Sequence, residues 1–340
     1  MNCIYRTIWS DVAGGFVAVA ETARAHGKRQ GSISRRTSLG ITAVSLGLFQ
    51  LNAIAASLGP NTATTEVITK PSPAKLHLDT PVVTTVTASP LIAPTTLPGN
   101  ASIVSGNIAI TSNTTPTTAV MNINQSSKTG IINWGSFNIG SAATVNFNQP
   151  DAQASTLNRV QSADISQILG KMNATGQVFI INPSGILFGK TSQVNVGGIV
   201  ATTHQLSDSD YLAGRTLFSR SGSSAAVINE GNITTAIAGY AALLAPEVRN
   251  DGVILARQGT VALASGEGIA LQFEGSSLIG MTVTPSTIAS LVRNQRAVLA
   301  PGGLIILSAK SIGQLASGVI QNSGTLSATG TKLVNGHIRL

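Results

Sequence analysis

From Ala101 onward the chain alternates apolar and polar residues in short runs, and Gly, Pro or Asn interrupts each run. Ser102-Ile103-Val104-Ser105-Gly106-Asn107-Ile108-Ala109-Ile110 and Met121-Asn122-Ile123-Asn124-Gln125 carry the two-residue period of half-buried strands. Residues 130–140 (GIINWGSFNIG) read as two short strands about a corner, and residues 144–150 (TVNFNQP) place Val and Phe on one parity. Val178-Phe179-Ile180-Ile181 is wholly apolar and rich in β-branched residues; Asn182-Pro183-Ser184-Gly185 interrupts it and Ile186-Leu187-Phe188 resumes it. Asn bonds the backbone two residues on, Pro presets φ at the second turn position, and Gly suits the fourth, so the interruption predicts a type I turn. The residue before a proline is pushed toward extended geometry, so Asn182 ends a strand. Gln193-Val194-Asn195-Val196-Gly197-Gly198 then alternates again.

Longer-range repetition follows the same grammar. The pattern V-x-N-x-G-x-I occurs at 227–233 and at 248–254, a spacing of 248 − 227 = 21 residues. Ile320-Gln321-Asn322-Ser323-Gly324-Thr325-Leu326 restates it 320 − 248 = 72 residues later, a little over three such periods. Residues 239–245 (GYAALLA) are echoed at 303–309 (GLIILSA). A period near 20 marks a solenoid whose single unit cannot bury its own apolar face. Short strands joined by Asn and Gly corners at that period predict an all-β fold: a right-handed parallel β-helix with short extra-helical β-elements. Asn at successive corners is expected to bond the Asn above and below, and Gly to take positive φ where the chain bends. Residues 101–330 then make on the order of ten coils. Each buried Val, Ile or Leu contributes ~1.5–3 kcal/mol, so growth coil by coil is expected. Ser207-Asp208-Ser209-Asp210-Tyr211-Leu212-Ala213-Gly214 is the one helix-like stretch, with Ser and Asp suited to its N-terminal cap. As a Ca²⁺ loop it lacks the later Glu.

The N-terminal third follows different rules. Arg35-Arg36 precede the apolar run 39–49, and Ala53-Ile54-Ala55 supplies a small-x-small cleavage site with Ala56 as the new N-terminus. That run is too short for a membrane span, which needs ~20 apolar residues. Residues 57–100 are rich in Pro, Thr and Ala, and predict an extended linker. The expected organisation is a signal region over 1–56, a linker over 57–100, the β-helix over 101–330 and a tail over 331–340. Composition narrows the class: charged residues are 10%, aromatics 4% and Gly 35 of 340, which favours many small repeated corners over one large aromatic core. The net charge of +8 divides evenly, with 6 − 2 = +4 in residues 1–55 and 15 − 11 = +4 in the rest. No basic cluster with interleaved aromatics occurs, so a nucleic-acid partner is not expected. Cys3 is the single cysteine, so removal of the signal leaves a thiol-free chain that no disulfide can lock before export.

Two stretches carry resemblances. Residues 1–28, from Met1-Asn2-Cys3-Ile4-Tyr5-Arg6 through Phe16-Val17-Ala18-Val19-Ala20 to Gly27-Lys28, resemble the extended signal-peptide region of large Gram-negative proteins on the type V secretion routes, with Cys3 where Lys is usual. This resemblance implies that the region slows inner-membrane export and limits premature folding. The ordered series IINWGSFNIG, VNFNQP, LNRV, GQVFIINPSGILFG and QVNVGGIVATT resembles the N-terminal secretion domain of filamentous-haemagglutinin-type exoproteins. This is the haemagglutination-activity domain of two-partner secretion. Ser184 stands where the family motif usually has a second Asn, and the family's other Asn-Pro-Asn motif has no counterpart. The resemblance implies a secreted or cell-surface protein that passes through the periplasm to a cognate outer-membrane barrel with periplasmic domains. It implies a secretion motif of Asn182, Pro183, Ser184, Gly185 and Ile186, supported by Asn133, Trp134, Asn158 and Arg159. It further implies adhesion to a host-cell glycan or protein receptor.

Catalytic chemistry finds little support. Ser72-Pro73-Ala74-Lys75 and Lys128-Thr129-Gly130 mimic the S-x-x-K and K-T-G of penicillin-binding enzymes but lie too close together in sequence. His26, His77, His204 and His337 have no metal-ligand spacing. No catalytic residue, metal or cofactor is expected. The alternative, a β-helical carbohydrate-active enzyme such as a polysaccharide lyase, needs a cleft of carboxylates with Arg, and the acids near Arg159, Arg215 and Arg249 are sparse.

Overall fold

The computed structural model describes residues 5–10, 15–20, 92–312, 318–329, 332–334 and 337–339. The expected cleavage site at Ala55–Ala56 and the linker up to residue 91 lie outside the described residues. Tyr5–Ser10 and Gly15–Ala20 pair as an antiparallel hairpin within a unit over residues 1–82. The second unit, residues 83–340, contains the repeats.

Three stacks of parallel strands form the faces of a β-helix. The first face runs Ala119–Gln125, Ala143–Asn148, Lys171–Ala174, residues 193–196, residues 232–235, Val253–Leu255, Ala297–Leu299 and Thr325–Ser327. The second runs Thr129–Ser136, Ser155–Val160, Gln177–Ile181, residues 198–202, residues 240–244, Thr260–Ser265 and Leu304–Ala309. The third runs Ser166–Ile168, Ile186–Phe188, Ala226–Asn229, Glu247–Asn250, Ser290–Asn294 and Gly318–Asn322. Each coil from the second to the seventh contributes one strand to each face, so identical parities stack. Met121, Val145, Met172, Val194, Ile233, Ile254 and Val298 form one register column through the core.

Eight coils start among the described residues, at 119, 143, 171, 193, 232, 253, 297 and 325, where the period alone suggested about ten. Two insertions consume the difference. Residues 203–225 leave the fourth coil and carry the short helix Asp208–Leu212, which Ser207 caps by accepting from the Asp210 N–H at 3.1 Å. Residues 266–285 leave the sixth coil and carry the hairpin Gly268–Glu274 and Ser277–Thr284, which Leu217–Ser219 joins as a third antiparallel strand. The same insertion places 248–254 and 320–326 two coils apart rather than three, with residues 292–298 (VRNQRAV) between them. These are the extra-helical elements, and they lie on the outside of the second face. Its strands are therefore buried on both sides: Ile131, Leu157, Phe179, Ile181, Val200 and Leu244 point away from the main core into a second one with Tyr211, Phe218 and Ile269. This explains why strands such as VFII and YAALL are apolar without alternation.

The expected Asn ladder is present. Asn229 Nδ2 donates to Asn250 Oδ1 (2.8 Å), Asn250 Nδ2 to Asn294 Oδ1 (2.7 Å) and Asn294 Nδ2 to Asn322 Oδ1 (2.7 Å). Residues 92–100, within the expected linker, pack on the first two coils. Pro94 O accepts from Ala142 N at 2.8 Å, Thr96 O accepts from Gly140 N at 2.9 Å, and the strands Gly99–Ser105 and Ile108–Thr114 pair antiparallel with the first coil. Those strands cover the first coil's backbone edge, which would otherwise stand open.

The corner between the first and second faces is tight. A Cβ on Gly259 would lie 2.0 Å from the Gly239 carbonyl oxygen, and one on Gly303 would lie 1.9 Å from that of Gly259. The clashing atoms are backbone, and strands begin at Thr260 and Leu304 directly after these glycines, so no side-chain movement relieves the clash. Gly259→Ala is expected to cost about 3 kcal/mol, at the upper end for overpacking, read as a fall in the denaturant midpoint at unchanged m-value.

Candidate functional site: the Asn182 corner

The strand Gln177–Ile181 lies between Ser155–Val160 and residues 198–202, and its end delivers Asn182 to the corner of the third coil. Asn182 is completely buried. Its backbone N–H donates to Thr202 O (3.0 Å), and its side chain makes three bonds. Nδ2 donates to Asp164 O (3.0 Å) and to Ser166 Oγ (2.9 Å), while Oδ1 accepts from the Ser184 N–H (2.9 Å). The Gly185 N–H donates to Asn182 O at 3.0 Å, closing the four-residue turn expected from Asn-Pro-Ser-Gly. Pro183 has no N–H to satisfy there, and its carbonyl accepts from Ser223 Oγ (2.8 Å). Ser184 Oγ reaches Ser162 O at 3.4 Å, so Ser in place of the usual second Asn still ties to the coil beneath. Gly185 has φ +115°, a conformation that side chains disfavour. Ile186 is fully buried and sits between Ser166 and Val227 in the third face.

The supporting residues lie in the two coils below. Trp134 Nε1–H donates to Asn158 Oδ1 at 3.0 Å, and Asn158 Nδ2 donates to Thr156 O and Phe179 O. Both side chains are fully buried, and Trp134 meets Phe137 edge-on at 5.5 Å. Arg159 points outward instead. Its guanidinium donates to Leu206 O (2.7 Å) and pairs with Asp208 Oδ1 (2.6 Å), tying the second coil to the helical insertion of the fourth. Asn133 is Arg159's register partner; its buried Oδ1 makes no hydrogen bond and joins neither group. The expected residues thus split into a turn lock, an interior indole–amide pair and an external clamp.

Pattern reading missed a third interior polar group. Thr156 Oγ1 donates to Gln125 Oε1 (2.7 Å), and Gln149 Nε2 donates to Thr156 Oγ1 (2.9 Å) and to Gln177 O (2.9 Å). Gln149 Oε1 accepts from the Gly176 N–H (2.7 Å). These side chains bridge the first three coils from inside. Only the position of Gln149 at the end of VNFNQP hinted at a role.

A titratable group stands where the fourth coil gives way to its insertion. His204 is fully buried; Nε2 bonds Gly266 O at 2.9 Å and Nδ1 has no partner. Burial holds its pKa below the ordinary 6.5, against the upward pull of the Gly266 carbonyl and Glu267, with Arg220 adding to the depression. The folded ring therefore stays neutral where the unfolded ring takes up a proton. Stability is full above pH ~6.5 and falls as pH drops below it, because the unfolded state then binds more protons. Denaturant midpoints are expected to drop between pH 7.5 and 5.5, and His204→Gln to flatten that slope. The depressed carboxylates Asp151, Asp210 and Glu267, each held down first by a hydrogen bond from Lys128, Ser207 and Arg220 respectively, act only at lower pH.

No group of three His, Cys, Asp or Glu is placed to hold a metal among the described residues. The corner's chemistry is hydrogen bonding turned wholly inward, which sets the register of one coil on the next.

Comparison with known proteins agrees with this geometry. The TPS secretion domain model matches residues 92–340, and the model of the Extended Signal Peptide of Type V secretion system matches residues 1–50. Two heme/hemopexin-binding proteins of Haemophilus influenzae are similar, one from strain Rd at 31% identity over 68% of this chain and the other at 32% over 65%. The chain spans 26% of the length of each. The HMW1 secretion domain of Haemophilus influenzae matches in structure with a TM-score of 0.58 and 29% identity, covering 68% of this chain and 59% of that one. With a Gram-negative export signal, a β-helix and this corner in place, the chain belongs to the two-partner-secretion exoprotein family, secreted by way of the periplasm.

Proposed function

We propose that the corner Asn182-Pro183-Ser184-Gly185-Ile186 acts twice in secretion. In the extended periplasmic chain it is read, with Asn133-Trp134 and Asn158-Arg159, by the periplasmic domains of a cognate outer-membrane barrel. Outside the cell the same residues close the third coil and set the register for those that follow. The observation that carries this reading is the complete burial of Asn182 with every side-chain bond directed inward. The folded corner offers a partner none of those atoms, so direct reading belongs to the unfolded chain. Burial at each coil is downhill at ~1.5–3 kcal/mol per large apolar side chain, so folding outside the cell draws the chain outward without ATP. Co-expression tests the route: the protein accumulates in the medium with a two-partner barrel and is degraded in the periplasm without it. Equal release in both strains would overturn the reading.

The downstream role is adhesion to a host-cell glycan or protein. The haem-related activity in the relatives' name is not assigned to His204, whose ring is buried and bonded to Gly266 O. A catalytic role is not proposed either. Asp151, Asp208, Asp210, Glu247 and Glu267 each face a Lys or Arg, which favours bracing over acid–base work. Glycan cleavage abolished by one carboxylate substitution would favour the enzyme alternative.

A further inference from the structure

The first face carries an ordered array of side-chain amides apart from the Asn182 corner and its supporting residues. Asn122, Asn146, Asn173 and Asn195 are register partners on successive coils, at positions alternating with the buried Met121, Val145, Met172 and Val194. Asn146 Nδ2 donates to Asn122 Oδ1 (2.9 Å), Asn173 Nδ2 to Asn146 Oδ1 (2.9 Å) and Asn195 Nδ2 to Asn173 Oδ1 (3.5 Å). Two residues along the strands, Asn148 Nδ2 donates to Asn124 Oδ1 at 2.8 Å. A shallow cavity of about 220 Å³ opens over this array, lined by Asn146, Asn148, Asn173, Thr175 and Asn195 with the backbone around Phe147 and Ala174, and no charged residue lines it.

We propose that this groove binds an extended, uncharged, β-1,4-linked polysaccharide lying along the coil axis. An Asn amide has two N–H donors and an oxygen with two lone pairs. The ladder consumes one donor and one lone pair at an interior rung, so an outward donor and acceptor remain. Sugar hydroxyls likewise both donate and accept. Neighbouring strands stand about 4.7–4.9 Å apart, close to the length of one pyranose unit in a β-1,4-linked chain, so successive sugars meet successive rungs. The ladder already fixes the amide rotamers, so binding orders little that is free. A polyanion such as a nucleic acid or sulfated glycan would find no Lys or Arg in the lining to pair with. The site lies on a different face from the Asn182 corner and stands or falls independently of the secretion reading.

The test is a titration of the secreted, ¹⁵N-labelled protein with cellohexaose, followed by side-chain amide resonances. Contact through hydrogen bonds without an aromatic platform predicts a Kd of about 1 mM. Saturable shifts are expected at Asn148, Asn173 and Asn195, with none from maltohexaose, whose chain curves, or from glycerol at matched hydroxyl concentration. The double variant Asn148→Ala, Asn195→Ala removes two rung ends and keeps the Asn122–Asn146–Asn173 ladder; it is expected to weaken binding about fivefold to tenfold with unchanged circular dichroism. If the pair perturbs the fold, Asn195→Ser alone, at the longest rung, provides the same comparison. Absent shifts above that Kd, shifts that glycerol reproduces, or undiminished binding by the variants would overturn the proposal.

Discussion

Asn182→Ile is expected to remove the protein from the medium while inner-membrane export and signal cleavage continue. The branched side chain brings no polar atom to a site where Asp164 O, Ser166 Oγ and the Ser184 N–H all lose their partner. Each buried group left unsatisfied costs about 1–3 kcal/mol, so three together approach the whole stability of an ordinary domain. Loss of secretion alone would not separate reading by the barrel from simple failure to fold. Asn250→Ile supplies the control. Asn250 is equally buried and has three comparable partners, Asn229, Asn294 and Ala297 O, but sits two coils later in the ladder. Matched losses of stability with secretion blocked only by Asn182→Ile identify the corner as read or nucleating. Equal loss for both variants reduces it to one brace among many, and unchanged secretion by Asn182→Ile removes its role altogether.

How legible the fold was depends on which interactions repeat. The ladder Asn229–Asn250–Asn294–Asn322 was visible because Asn and Gly recur at fixed offsets, yet its third rung was hidden: Arg296 stands where the other repeats carry Gly, so 292–298 did not match. The turn at Asn182 was legible because all its determinants are local. The polar interior of Gln125, Gln149 and Thr156 was not, since an alternation rule assigns polar side chains to the outside and cannot see that three coils bring these together. The hairpin over 268–284 alternates with the same two-residue period as the coils, so periodicity could not separate insertion from coil, and the coil count came out too high. The trapped amide–indole pair of Trp134 and Asn158 was named from family likeness; the clamp from Arg159 to Leu206 and Asp208 required the structure.

That clamp changes the expected order of folding. The early coils are expected to bury their inner side as they form but to complete their second face only later, because its outer side is covered by chain made later. Tyr211, from the fourth coil's insertion, stacks edge-on against Phe179 of the third coil at 5.5 Å and bonds Ser155 Oγ of the second at 2.6 Å. Arg159 grips the same insertion from the second coil. A chain ending at Thr202 would contain every residue of the secretion motif and yet leave Ile131, Leu157, Phe179, Ile181 and Val200 uncovered. At ~1.5–3 kcal/mol each, these five forgo roughly 8–15 kcal/mol, as much as a domain's entire margin. Such a chain is expected to bind the dye ANS, to lose near-ultraviolet circular dichroism and to melt without a cooperative transition. A chain ending after the sixth coil, at Asn294, includes both insertions and is expected to fold cooperatively. Arg159→Met within the longer chain leaves Asp208 without its partner and should cost about 1–3 kcal/mol, seen as a lowered denaturant midpoint. A cooperative transition in the chain ending at Thr202 would mean that coils are self-sufficient and that the insertion merely decorates them; its absence makes residues 203–219 a strap without which the early coils do not fold cooperatively.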